Sequence, residues 1–339
     1  MKSSFLSCLL GGLVAVSPTN LIAASPSLPS SFLKGVTISC QTWGIEWQTP
    51  EMEAALDELK SLGVNSIAIH PYAQIQEDGH LFTGRGATAG TTHISTPLHW
   101  ARERGLSVML VPHLAYWGTK FLWRGEINFA SAQEWEIFFS EYQNWIVRMA
   151  ALAEEGRAQT FCVGLEYSFA QKDEARWRKI IAAVREVYHG KVTYGANWNE
   201  YAEVKFWDAL DYIGVLAYFP LTKSEDPSVA ELTAAWEKRC SELERFSKQN
   251  DKPILFTEIG YNENARAAAE PWSFKTGGVR AAEIQARCID VALALPAKHP
   301  FIAGMYWWKW YPEIPHHEQE NYRLQTGPIK ALLAKHWRQ

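Results

Sequence analysis

Cysteine is scarce here, five residues in a chain of 339, and no spacing among Cys40, Cys162, Cys240 and Cys288 suits a zinc site. A metal-stapled module is therefore excluded. Cys240 and Cys288 fall on helices expected to be neighbours, where an oxidising compartment would permit a disulfide. Buried free thiols are the alternative, and sequence spacing does not choose between them. Blocks of basic residues are also missing, and the formal net charge is −4, which argues against nucleic acid or anionic membranes as partners. No Gly-x-Gly-x-x-Gly follows a strand, and Gly84-Arg85-Gly86 opens no helix, so a phosphate cradle is absent. No Gly-x-Ser-x-Gly elbow supports an esterase. His316-His317-Glu318 resembles a metal motif, but adjacent loop residues rarely converge on one ion and nothing completes the set. No metal and no organic cofactor is expected.

Long apolar runs are confined to the start of the chain. Lys2 precedes an apolar stretch from Phe5 to Val16, and Leu21-Ile22-Ala23-Ala24 offers small residues for cleavage. Residues 1–24 read as a secretory signal peptide, too short to cross a membrane as a helix. Cys8 has too little apolar chain before it for a lipoprotein anchor. A secreted or periplasmic protein is expected, with no membrane association after cleavage. Residues 25–31 are a serine- and proline-rich linker, and 32–339 form the remaining domain.

Within that domain short apolar runs alternate with amphipathic stretches, the pattern of an α/β fold with a closed parallel sheet. The expected strands are Gly35–Ser39, Ser66–Ile69, Ser107–Val111, Thr160–Glu166, Lys191–Ala196, Tyr212–Ala217, Pro253–Glu258 and Ile302–Tyr306. Helices are expected after every strand, the second over Pro97–Arg104 and the third over Ala132–Glu155. The length suits a single (β/α)8 TIM barrel, which usually needs roughly 250 residues or more.

Two of the runs end in glutamate, Glu166 on strand 4 and Glu258 on strand 7. A carboxylate is costly to bury, and in a (β/α)8 barrel the C-terminal strand ends carry the chemistry. Three βα units of roughly 30 residues separate the two, which sets them across the barrel axis. Facing carboxylates can serve as acid and nucleophile in glycosidic cleavage, or as acid and base around a water. An ion-paired rim is the alternative. The other strand ends supply Trp43, His70, Tyr72, His113, Asn197, Trp198, Tyr218 and Trp308. A single histidine or tryptophan there is as readily structural. Together they suggest a carbohydrate cleft in which indole rings face sugars. Tyr218, beside Glu258, is placed to donate to its carboxylate and stabilise the charged form. Asn197, beside Glu166, is placed to orient a sugar hydroxyl or the acid.

Several stretches resemble glycoside hydrolase family 113, a clan A family known for β-mannanases. They are Trp123-Arg124-Gly125-Glu126-Ile127, Val163-Gly164-Leu165-Glu166, Ala196-Asn197-Trp198, Leu210-Asp211-Tyr212-Ile213-Gly214, Ala217-Tyr218-Phe219-Pro220-Leu221, Thr257-Glu258-Ile259-Gly260-Tyr261, Glu270-Pro271-Trp272 and Met305-Tyr306-Trp307-Trp308. The resemblance covers nearly all of the mature chain. It implies a retaining hydrolase of polysaccharide or oligosaccharide, most readily β-1,4-mannan or glucomannan, with Glu166 as acid/base and Glu258 as nucleophile. Trp272 joins Trp43, Trp198 and Trp308 as a candidate sugar platform. Leu165 departs from the Gly-Thr-Glu form expected before the acid/base and leaves the substrate open. The alternatives are a clan A hydrolase of glucan or xylan, and a secreted carbohydrate-binding barrel that has lost catalysis.

Overall fold

Eight apolar runs form parallel strands: β1 (Leu33–Ile38), β2 (Ser66–Ile69), β3 (Ser107–Leu110), β4 (Thr160–Leu165), β5 (Lys191–Asn197), β6 (Ile213–Leu216), β7 (Ile254–Ile259) and β8 (Ile302–Trp310). Each pairs with the next, and β8 pairs with β1 to close the barrel. This computed structural model describes residues 28–83, 90–313 and 321–338. The expected signal peptide, residues 25–27 of the linker, Gly84-Arg85-Gly86 and His316-His317-Glu318 lie outside the described residues.

The connecting helices are α1 (Pro50–Ser61), α2 (Thr92–Glu103), α3 (Ala132–Glu155), α4 (Glu174–Val187), α5 (Val229–Asn250), α6 (Ala281–Leu293) and α7 (Gly327–Trp337). Local chemistry sets their ends. Pro50 opens α1, and Gly63 follows its close at φ 90°, a left-handed conformation that glycine adopts without strain. A reciprocal cap joins Ser131 and Glu134 at the start of α3. Among the described residues no helix is long and apolar enough to cross a membrane. Cys40, Cys162, Cys240 and Cys288 are free thiols, the last three buried.

Two expectations fail, each for a physical reason. A helix after every strand is not observed. Between β5 and β6 the chain makes two 3-10 turns, Tyr201–Glu203 and Trp207–Ala209. Phe206 and Trp207 pack their rings on Tyr194 of β5 at 5.4 and 6.3 Å, covering the barrel where a helix would lie. Helix α2 starts at Thr92, not Pro97, and runs through the proline. Pro97 is the sixth residue of α2, where it gives up the N–H of one ladder bond and sets its ring against the carbonyl four residues earlier.

Beyond β2 and β3 the chain builds a second, three-stranded sheet over the mouth. Residues 72–75 lie between 81–82 and 113–115, and Tyr72 is in register with His113. Below it the barrel is filled by Ala68, Met109, Cys162, Leu165, Leu216, Leu255 and Tyr306. Glycines make room for the larger of these. A Cβ on Gly35 would meet the Tyr306 ring at 2.4 Å, and one on Gly195 would meet Leu165 Cδ1 at the same distance. The Tyr306 hydroxyl reaches past β1 to Ser66 Oγ on β2 at 2.8 Å. Leu165 therefore belongs to the floor beneath the mouth.

Candidate active site

Glu166 leaves the end of β4 with φ 63°. A glutamate in that region is strained by about 1–3 kcal/mol and persists only when its surroundings hold it. Its N–H donates to Gly195 O at 2.9 Å, which anchors it to β5. Glu258 lies within β7 on the other side of the mouth and is 7% exposed. The Tyr218 hydroxyl, at the end of β6, donates to Glu258 Oε2 at 2.9 Å.

Arg124 joins the two halves. Its Nη1 donates to Glu166 Oε2 at 3.1 Å, its Nε to Leu114 O at 2.9 Å, and its Nη2 meets His113 Nδ1 at 3.1 Å. An arginine can only donate, so His113 Nδ1 accepts and the ring proton sits on Nε2. That nitrogen faces Glu258 Oε1 at 3.8 Å, too far for a hydrogen bond.

Around these groups the aromatic residues form one wall. His70 and His113 stack at 4.8 Å, and the Trp308 ring lies 5.3 Å from His70 and 6.0 Å from His113. Tyr72 meets both imidazoles edge-on and carries Trp43 at 6.2 Å and Trp117 at 5.2 Å. Both ring nitrogens of His70, Nε2 of His113 and Nδ2 of Asn197 are buried without a hydrogen-bond partner. Buried polar groups are normally satisfied, so four unpaired atoms at one mouth suit a ligand rich in hydroxyls.

Burial dominates the electrostatics. It drives the His70 imidazole down to about 3, with Lys309 and Arg124 adding to the effect. It also pushes His113 well below the usual histidine range, helped by Arg124. Both rings are neutral at physiological pH. Burial raises the carboxyls of both Glu166 and Glu258. Glu166 is raised but opposed by Arg124. Glu258 is pushed up to about 8 by burial and by Glu166, against Arg124, Tyr218 and Lys309. The free enzyme thus holds a proton on the pair, and Arg124 favours charge on Glu166.

Each expected site residue is found at the C-terminal end of the barrel, but they divide into two groups. Trp43, His70, Tyr72, His113 and Trp308 share the wall over β1–β3 and β8. Trp198 and Trp272 stand on the opposite side, stacked on each other at 5.7 Å. They form one paired surface, not two separate platforms, and Trp272 is 45% exposed. Arg124, Trp117 and Lys309 are additions. Arg124 and Trp117 sit in the long loop after β3, where no periodicity tells which side chain folds back. Lys309 lies past the expected end of β8, which continues to Trp310.

The model of Glycoside Hydrolase Family 113 matches residues 36–325. Among solved structures, the chain is similar to the GH113 β-mannanase AaManA from Alicyclobacillus acidocaldarius in complex with ManMIm. Identity is 27% and the TM-score 0.79, covering 91% of this chain and 97% of that one. It is also similar to a GH113 β-1,4-mannanase at 23% identity and TM-score 0.79, over 91% and 99% of the two chains. A family 5 mannosidase from Rhizomucor miehei gives 11% identity and TM-score 0.63, over 93% of each chain. These last two likenesses concern the fold alone. No curated protein sequence matches the chain. Because the family match spans nearly all of the barrel and includes both glutamates, the chain belongs to glycoside hydrolase family 113, a clan A family of (β/α)8 enzymes.

Proposed function

We propose that this glycoside hydrolase cleaves β-1,4-linked mannan or glucomannan with retention, Glu258 acting as nucleophile and Glu166 as acid/base. The observation that carries the assignment is the different partnering of the two carboxyls. Tyr218 holds one Glu258 oxygen at 2.9 Å and so aims the other. Glu166, across the mouth, is held by Arg124. Mannan is favoured by the 27% identity to a protein described as a β-mannanase.

In the first step Glu258 bonds to the anomeric carbon while Glu166 gives its proton to the departing oxygen. A glycosyl ester to Glu258 results. Glu166, now charged and stabilised by Arg124, takes a proton from water, whose oxygen attacks the same carbon and releases Glu258. His70, His113 and Asn197 offer their unpaired nitrogens to the sugar hydroxyls, and Trp308 offers a ring face. We also propose that residues 1–24 are a signal peptide and that the enzyme works in the periplasm or outside the cell.

Reducing-sugar assays on mannan, glucomannan, xylan and β-glucan test the reading, with sugar-binding titration alongside. Cleavage of the mannans, abolished in Glu258→Ala, is expected. Cleavage of xylan or glucan alone would reassign the substrate, and binding without cleavage of any glycan would overturn the enzymatic role.

A further inference from the structure

We infer that Lys309 is a positioning residue of this active site, a cation that favours charge on Glu258 over charge on Glu166. The inference rests on Glu258 being the nucleophile proposed above. Double displacement needs Glu258 ionised while Glu166 carries the proton. Arg124, bonded to Glu166 at 3.1 Å, works the other way. Some other group has to favour charge on Glu258, and the Tyr218 hydrogen bond is neutral.

Lys309 is built to be that group. Its backbone is pinned on both sides, its N–H donating to Tyr322 O at 2.9 Å and its carbonyl accepting from Leu324 N at 3.2 Å. The side chain is laid over aromatic rings, with Nζ 5.2 Å from the Trp308 centroid and 5.1 Å from that of Tyr311. Trp308 in turn stacks on His113, whose Nε2 lies 3.8 Å from Glu258 Oε1. The ammonium and the Glu258 carboxylate therefore share one aromatic wall. In such a medium a charge acts more strongly than across water.

Among the described residues the ammonium has no hydrogen-bond acceptor, and Lys309 is half-buried, with its charged end not among the buried unpaired atoms. Cation–π contact with the two rings compensates in part. That separation suits the role. An ammonium bonded to Glu258 would occupy the lone pair that must attack carbon, whereas one standing off lowers the cost of the charge and leaves the oxygen free. The ionisable groups acting on Lys309 are Glu258 and Cys40. Those acting on Glu258 are Glu166, Arg124, Tyr218 and Lys309, with His113 opposite and neutral. Burial brings the Lys309 ammonium down to about 8, while Glu258 and Cys40 hold it up. It is charged below that pH.

The test is the pH dependence of kcat/KM on a soluble manno-oligosaccharide for the wild type, Lys309→Met and Lys309→Arg, with melting temperature as a check on folding. In Lys309→Met the acid limb, which reports ionisation of Glu258, should move upward by roughly half to one pH unit. KM should change by less than about threefold, as for a group that does not touch substrate. Lys309→Arg should restore the acid limb. Should the methionine variant not fold, Lys309→Gln, neutral but with a polar tip, takes its place, with the same upward shift of the acid limb expected. An unmoved acid limb in a folded Lys309→Met enzyme overturns the inference, as does a raised KM with the limb in place. If the methionine variant does not fold, an unmoved acid limb in a folded Lys309→Gln enzyme overturns it instead. Activity persisting in Glu258→Ala would overturn the nucleophile assignment and this inference together.

Discussion

At Glu258 one hydroxyl does two jobs. The Tyr218 hydrogen bond, 2.9 Å to Oε2, orients the carboxylate and opposes the burial that pushes its pKa to about 8. A hydrogen bond to a charged group is worth about 1.5–3 kcal/mol. Tyr218→Phe should therefore lower kcat roughly 10- to 100-fold, since 1.4 kcal/mol is tenfold. It should also move the acid limb of the pH profile upward, because the charged form loses a donor. Steady-state kinetics across pH would show it, and an unchanged kcat would remove Tyr218 from the mechanism. At Glu166 the strained backbone and the Arg124 contact coincide. Backbone strain thus coincides with a carboxyl that a cation holds in one place.

Elements reach this precision through paired large and small residues. Gly35 on β1 faces Tyr306 on β8, and a Cβ there would sit 2.4 Å from the ring. The ring is buried and its hydroxyl is tied to Ser66, so it has no room to retreat. Gly35→Ala should destabilise the barrel by about 1–3 kcal/mol, read as a lower melting temperature with the catalytic pH profile unchanged. A melting temperature equal to the wild type would show that the interior yields. The strands that carry Glu166 and Glu258 were legible in the sequence because each is an apolar run closed by one carboxylate, with local signals at both ends. The register of Tyr72 on His113 was not, since the small sheet forms between two loops. Nor was the missing helix after β5, where Phe206 and Trp207 cover Tyr194. Arg124 stood within a stretch resembling the family, yet its reach to Glu166 depends on how the loop after β3 folds back. The pairing of Trp198 with Trp272 joins loops after β5 and β7, a contact that no spacing predicts.

For the molecule as a whole, the site sets stability against function. Glu258 has its pKa raised from 4.5 to about 8 on folding, so the folded state keeps a proton that the unfolded chain releases. Where the native state binds more protons, stability falls as pH rises. The loss builds between about 4.5 and 8 and is complete above that range. Glu258→Gln, neutral at every pH, should melt above the wild type at pH 8 and close to it at pH 4.5. A difference independent of pH would contradict the electrostatic origin.

Hydrolysis of a β-glycosidic bond by double displacement, as proposed for the two glutamates, requires the carboxyls to act about 5–5.5 Å apart on one sugar. Proton NMR of the first product formed from a manno-oligosaccharide reads the outcome directly, before mutarotation mixes the anomers. The β anomer appearing first is the predicted result. The α anomer appearing first would mean single displacement by water, with Glu258 a base and not a nucleophile.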